Sequence, residues 1–362
     1  MTSHTDSPTF KVKENAEIEV KNKYTQLNTE GYGGMLCATW LDRPLSIAGR
    51  VLVSEGNSIV TKLLNIDRDL LMIPNVAIHM NRAANDGFKY NLQVDMLPLL
   101  SGGDDRQKDF KQIIADELGV KKEDILGHDL YLYNRMAPSI WGANEEFISA
   151  GHLDDLQCGF ASLKALLAGY NDESIDIMAC FDNEEVGSGT KQGADSTLLR
   201  DTLIRINNAL GKTEEDYHRA LASSFMLSAD NAHAVHPNHP EHTDVTNCTY
   251  MNEGVVVKSH AGQKYTSDGV SMAVVKSLAS GADVPLQYFA NRSDKAGGST
   301  LGNIAMAQAS MNAVDIGLPQ LAMHSSYETA GIKDTYYAIA LMKALFDSHI
   351  QETSTHSLEI KR

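Results

Sequence analysis

The chain has 362 residues, 43% of them hydrophobic and 22% charged, the proportions of a globular protein with a sizeable core. Its formal net charge of -16 excludes nucleic-acid binding through a basic patch, since phosphate recognition needs concentrated Lys and Arg. No uninterrupted apolar stretch reaches spanning length and Met1-Thr2-Ser3-His4 is not the start of a signal peptide, so the expected location is cytoplasmic, away from the membrane.

Residues 14–147 are rich in β-branched or alternating runs, such as Arg50-Val51-Leu52-Val53 and Ser58-Ile59-Val60-Thr61-Lys62-Leu63, with one polar helical segment at residues 109–118. After Gly151, strand and helix patterns alternate, which indicates an α/β domain. Its first helix shows the pattern Leu156, Phe160, Leu163, Leu167, preceded by Asp154 and Asp155, either of which serves equally well as an N-cap. Strands at residues 174–181, 224–229 and 320–323 run into Glu184-Glu185, Asp230 and His324, and helical patterns cover residues 269–279, 300–310 and 334–347. Ligands collect where the carboxyl ends of such strands open into loops. Cys37, Cys158, Cys180 and Cys248 lack CxxC or CxxH spacing and read as buried or neutral residues, not as a zinc knuckle or a disulfide framework.

The pair Glu184-Glu185 carries the most chemistry. Adjacent carboxylates at a strand end either form a solvated acidic turn or divide two jobs of a metal hydrolase, one holding a cation and the other taking a proton from water.

Taken with their neighbours, these segments resemble the aspartyl aminopeptidase family of dinuclear metallopeptidases. The resemblance rests on His4-Thr5-Asp6-Ser7-Pro8, Trp40-Leu41-Asp42-Arg43, Ala48-Gly49-Arg50-Val51, Ala77-Ile78-His79, Leu153-Asp154 and Asp182-Asn183-Glu184-Glu185-Val186-Gly187-Ser188. Ser228-Ala229-Asp230, Ala232-His233-Ala234-Val235-His236-Pro237, Asp294-Lys295-Ala296-Gly297-Gly298-Ser299-Thr300-Leu301-Gly302 and Gln320-Leu321-Ala322-Met323-His324-Ser325 complete it, in the family's order. It implies two divalent ions, most simply zinc, one held by His4, Asp154 and Asp230 and the other by Asp154, Glu185 and His324. Glu184 is then the base, Asp6 orients the His4 ring, and His79, His233, Lys258 and Tyr265 contact substrate, with Lys258 facing a substrate carboxylate.

The implied fold is an α/β catalytic domain with helices on both faces, built from residues 1–13 and 148–362, plus an inserted β-rich dimerisation domain at residues 14–147. The implied activity is removal of an amino-terminal Asp or Glu from peptides. His79 would reach a neighbouring subunit, and dimers would assemble into a tetrahedral dodecamer. The resemblance further implies a cis bond between Asp154 and Asp155. Asp155 stands where the family usually has Asn, which leaves open which Asp bridges. Family members also carry a leading region of several tens of residues before the His4 motif, so the chain reads as truncated and His4 as mobile. Two rival expectations follow: a catalytically silent, oligomer-forming fragment, and an aminopeptidase of neutral or broad specificity.

Overall fold

The computed structural model describes residues 1–103, 109–354 and 357–361. These divide into one unit of Met1–Ser7, Ser139–Met323 and Glu328–Arg362, and another of Pro8–Pro138 and His324–Tyr327. The sequence pattern drew the divisions at 13/14 and 147/148. The strand Thr9–Val20 takes up its pairing in the second unit directly after Ser7, while Ser139–Trp141 pairs with Phe147–Ala150 in the first.

In the first unit a six-stranded sheet runs in the order Ala179–Phe181, Thr2–His4, Phe225–Ala229, Asn312–Gly317, Val255–Lys258, Leu286–Phe289. The first four strands are mutually parallel, and Val255–Lys258 pairs antiparallel with Asn312–Gly317. Successive strand residues point to opposite faces, and both faces here are apolar. Leu227 and Val314 join Cys158, Ala161, Val275 and Leu341 in one core, whereas Met226 and Ala313 join Leu199, Leu301 and Ala305 in another. Helices therefore cover both sides: Leu153–Ala168, Gly269–Gly281 and Asp334–Phe346 on one, Leu198–Ala209 and Leu301–Gln308 on the other.

The helix Leu153–Ala168 reverses a simple reading of its periodicity. Leu156, Phe160, Leu163 and Leu167 are 45 to 74% exposed, and the buried stripe is Cys158, Ala161, Ser162 and Ala165. Small residues let this helix approach Asp334–Phe346 closely, with the Ser162 hydroxyl 3.6 Å from Met342 Sδ and Gln157 Nε2 2.9 Å from Thr335 Oγ1.

A second sheet of this unit has the order Ala232–His233, Pro319–Leu321, Glu328–Gly331, Phe147–Ala150, Ser139–Trp141. The strand leading towards His324 thus ends at Leu321 and belongs here, not to the six-stranded sheet. The second unit is a six-stranded, wholly antiparallel sheet closed over Phe10, Leu27, Trp40, Ile47, Val51 and Leu132, with Phe110 and Ile114 of the helix Phe110–Leu118 on the same core. Asp109 caps that helix by accepting from Gln112 N, and Gly119 closes it in the left-handed region. All four cysteines are free, and no helix among the described residues is long and apolar enough to cross a membrane.

Candidate metal centre

Three parallel strands lie side by side, so their carboxyl ends share one edge of the sheet. Thr2–His4 ends there with His4, Ala179–Phe181 leads through left-handed Asn183 (φ 62) into the tight turn Glu184–Val186, and Phe225–Ala229 leads into Asp230. Far from being mobile, His4 is 1% exposed. Its strand lies between two others, and Thr5 N donates to Phe181 O at 3.0 Å. Asp154 and Asp155 arrive from the other direction, at the start of Leu153–Ala168, with non-helical backbone and a cis bond between them.

The His4 ring is set by its backbone partner. Nδ1 lies 3.1 Å from the Asp6 carbonyl, which can only accept, so Nδ1 carries a proton and Nε2 is the nitrogen turned to the carboxylates. Nε2 is 3.5 Å from Asp154 Oδ1 and 4.0 Å from Asp230 Oδ1. One donor atom each from His4, Asp154, Asp155 and Asp230 falls within 4.8 Å of the others, and His4, Glu184 and Glu185 form a second such group. An Asp154 oxygen is equally close to one of Glu185. Zinc bonded at about 2.0–2.2 Å sets its ligand atoms roughly 3.3–3.5 Å apart, so this donor set fits a divalent ion with small side-chain adjustments.

The electrostatics point the same way. Asp154, Asp155 and Asp230 are 3%, 0% and 8% exposed, and buried carboxylates need a cation or a proton. Burial, then the charges of Asp230 and Asp154, push the Glu184 carboxyl up to about 7. Burial likewise raises Asp155, against the nearby His4. Burial alone would lower His4, yet Asp154 and Asp6 beside its ring carry it well above the usual histidine range.

The family now follows from the whole chain. Residues 1–346 match the family described as aminopeptidase I zinc metalloprotease (M18). The chain belongs to the M18 metallo-aminopeptidases. A probable M18 family aminopeptidase 2 of Clostridium acetobutylicum is 50% identical over 339 residues, 92% of this chain and 78% of the relative. Among solved structures, the complex of Ape4 with Nbr1 superposes with a TM-score of 0.90 at 34% identity, over 96% of this chain and 70% of that one. The S. cerevisiae mApe1 dodecamer superposes at 0.79 and 28% identity, over 95% and 78%.

In this M18 chain the carboxylate of Asp6 holds the turn that carries the glutamate pair. Its Oδ1 and Oδ2 accept the backbone N–H groups of Glu184 and Glu185, at 3.0 and 3.1 Å, pinning the pair to the loop that follows His4. Asn at this position has a single acceptor oxygen and must release one of those N–H groups. We expect Asp6→Asn to lower activity or zinc affinity about 10–100-fold, the usual cost of losing an outer partner, as read by kcat and by chelator competition.

One oxygen of Asp155 is engaged by the backbone: its Oδ2 accepts from His4 N at 3.1 Å. Lys258 is 3% exposed, with Nζ 2.9 Å from the Asn231 carbonyl and 3.8 Å from Asp230 Oδ2, below the ring of Tyr265. Burial alone would lower its pKa, but Asp230 holds it above the ordinary lysine value. His233 is an exposed residue of its short strand, 6.0 Å from Phe289, and Tyr265 packs edge-on to the same Phe289. In the second unit, His79 lies in an exposed turn. There too, His324 (φ 67) has Nδ1 2.7 Å from the Gly34 carbonyl, which can only accept, so Nδ1 carries a proton.

Three residues that organise the site carried no signal in the sequence. Asn231 Nδ2 faces Leu153 O, Gln157 Oε1 and Gln320 Oε1 at 2.8 to 3.2 Å, and its Oδ1 accepts from Cys158. Glu328 Oε2 accepts Asp154 N at 3.0 Å. At Gly317 a Cβ would stand 2.2 Å from Asp230 O and 3.0 Å from Lys258 Cε. Gly317→Ala is therefore expected to cost about 1–3 kcal/mol in urea denaturation, because backbone must move to admit one methyl.

Proposed function

We propose that this chain is a two-ion aminopeptidase that removes an acidic amino-terminal residue from peptides. His4, Asp154 and Asp230 hold one ion and Asp154, Glu185 and His324 the other, with Asp154 shared. The observation that carries this reading is the convergence of His4, Asp154, Asp230, Glu184 and Glu185 at one sheet edge. Asp154 is favoured as the bridge because its carboxylate neighbours both His4 and Glu185, whereas Asp155 is engaged by His4 N. When bound, the ions polarise the scissile carbonyl and make water a stronger acid.

Glu184 accepts the proton of the attacking water and delivers one to the leaving amine. Its partner Glu185 binds metal, and Asp6 keeps both main-chain segments in place. Tyr265 and His79 donate to the substrate carbonyl, His79 from a neighbouring subunit, and His233 contacts the substrate. Support for an acidic preference comes from Lys295, which lines a cavity of about 290 Å³ with His233 and Arg292. The chain forms a homo-oligomer, a reading supported by the dodecamer named for the yeast relative, and residues of the second unit mediate its dimer contacts.

Metal analysis with a panel of aminoacyl substrates tests this. The expected result is two zinc equivalents per chain that are lost when His4, Asp154 and Asp230 are all replaced by Ala, loss of turnover on chelation, and kcat/KM for Asp and Glu substrates well above that for Ala and Leu. One equivalent would reject the two-ion site. Equal rates across the panel would support the broad-specificity alternative.

A further inference from the structure

Beyond the acidic cluster, the loop that follows Ala232–His233 carries a separate set of metal-binding side chains. His236-Pro237-Asn238-His239-Pro240-Glu241-His242 spaces three imidazoles at intervals of three, and Pro240 opens the single tight turn Pro240–His242. His239 Nδ1 lies 3.1 Å from Glu241 Oε1, and His242 Nε2 lies 3.9 Å from the same oxygen. The His239 and His242 rings stack with centroids 5.4 Å apart and an interplanar angle of 18°. One donor atom of each of the three residues falls within 4.8 Å of the other two. These separations bracket the roughly 3.3–3.5 Å between ligands around tetrahedral zinc.

We propose that His239, Glu241 and His242 form a surface site for a first-row divalent transition ion, with zinc as occupant and water as the fourth ligand. The donor set selects the ion class: two imidazoles suit zinc, copper or nickel, whereas calcium and magnesium take oxygen. All three side chains are more than half exposed, so gathering them around an ion costs little desolvation. Arg292 donates to the Glu241 carbonyl, but its guanidinium is paired with Asp294 and does not neutralise the Glu241 carboxylate.

His236 stands beside this set without joining it. Its Nδ1 accepts from Asn238 N at 3.2 Å, so the neutral ring carries its proton on Nε2 and has no spare lone pair. Both His236 and His242 line the cavity shared by His233, Arg292 and Lys295. An ion held by His239, Glu241 and His242 ties the turn to the wall of that cavity.

Equilibrium dialysis against zinc at neutral pH tests the site. The double variant His239→Ala/His242→Ala should bind one equivalent fewer than the unaltered protein, while His236→Ala keeps the full complement. Glu241→Gln, a change of minimal shape, should weaken that equivalent at least about tenfold, since even an outer partner costs that much. His4→Ala/Asp230→Ala should still bind the equivalent that the double variant lacks, which separates this site from the acidic cluster. Unchanged stoichiometry in the double variant overturns the proposal. Should that variant not fold, unchanged zinc affinity in Glu241→Gln overturns it.

Discussion

Glu184→Gln is expected to keep its zinc content and lose activity about a hundredfold to ten-thousandfold, the usual range for removing a general base. Its neighbour should behave in the opposite way, with Glu185→Gln weakening zinc binding and losing turnover only as metal is lost. The asymmetry is notable because the two residues share so much: adjacent positions in one turn, half-buried side chains, and backbone N–H groups bonded to the same Asp6 carboxylate. Glutamine preserves the shape of each side chain, so neither change should disturb that turn. Zinc content and single-turnover rates on both variants decide the matter. Equal metal loss in the two would refute the division of roles.

Lys258→Met should lower global stability as well as activity. Lys258 Nζ is buried against Asp230 and the Asn231 carbonyl, and taking one partner from a buried ion pair typically costs about 3–5 kcal/mol because the other charge stays behind. Asp230 then faces Asp154 and Asp155 with less compensation. Urea denaturation in the presence of a chelator reads that cost without interference from bound zinc. Kinetics separate this anchoring role from substrate recognition. If Lys258 also meets a substrate carboxylate, kcat/KM for Asp or Glu substrates falls well below the loss seen with Ala or Leu substrates. A parallel loss across all substrates confines Lys258 to holding Asp230.

How much of the site was legible depends on how local its determinants are. The strand ends before Asp230 and Glu184 could be read directly, because apolar runs that stop at acids keep their meaning in isolation, whereas the Glu184-Glu185 pair left two readings open and the histidines were placed only through the family resemblance. The helix Leu153–Ala168 was legible as a helix but not in orientation. Large apolar residues mark one stripe and small ones another at the same 3.6-residue period, and close helix packing selected the small stripe. Asn231, Glu328 and Gly317 left no trace in the pattern, since each acts through one contact with a residue distant in sequence.

The sequence by itself determined the family, through motifs spread over nearly the whole chain, and with it the residue types available for metal and proton chemistry. Tertiary structure alone decided that residue 4 meets residues 154, 184 and 230. Metal ligands must stand within a few ångströms of one another, and here that proximity comes from the parallel register of Thr2–His4 with Ala179–Phe181 and of Thr2 with Ser228. The same register overturned the expectation of a mobile His4. Strand pairing orders a chain end as well as it orders a chain interior, because the backbone hydrogen bonds and burial that fix it do not depend on what precedes them in sequence.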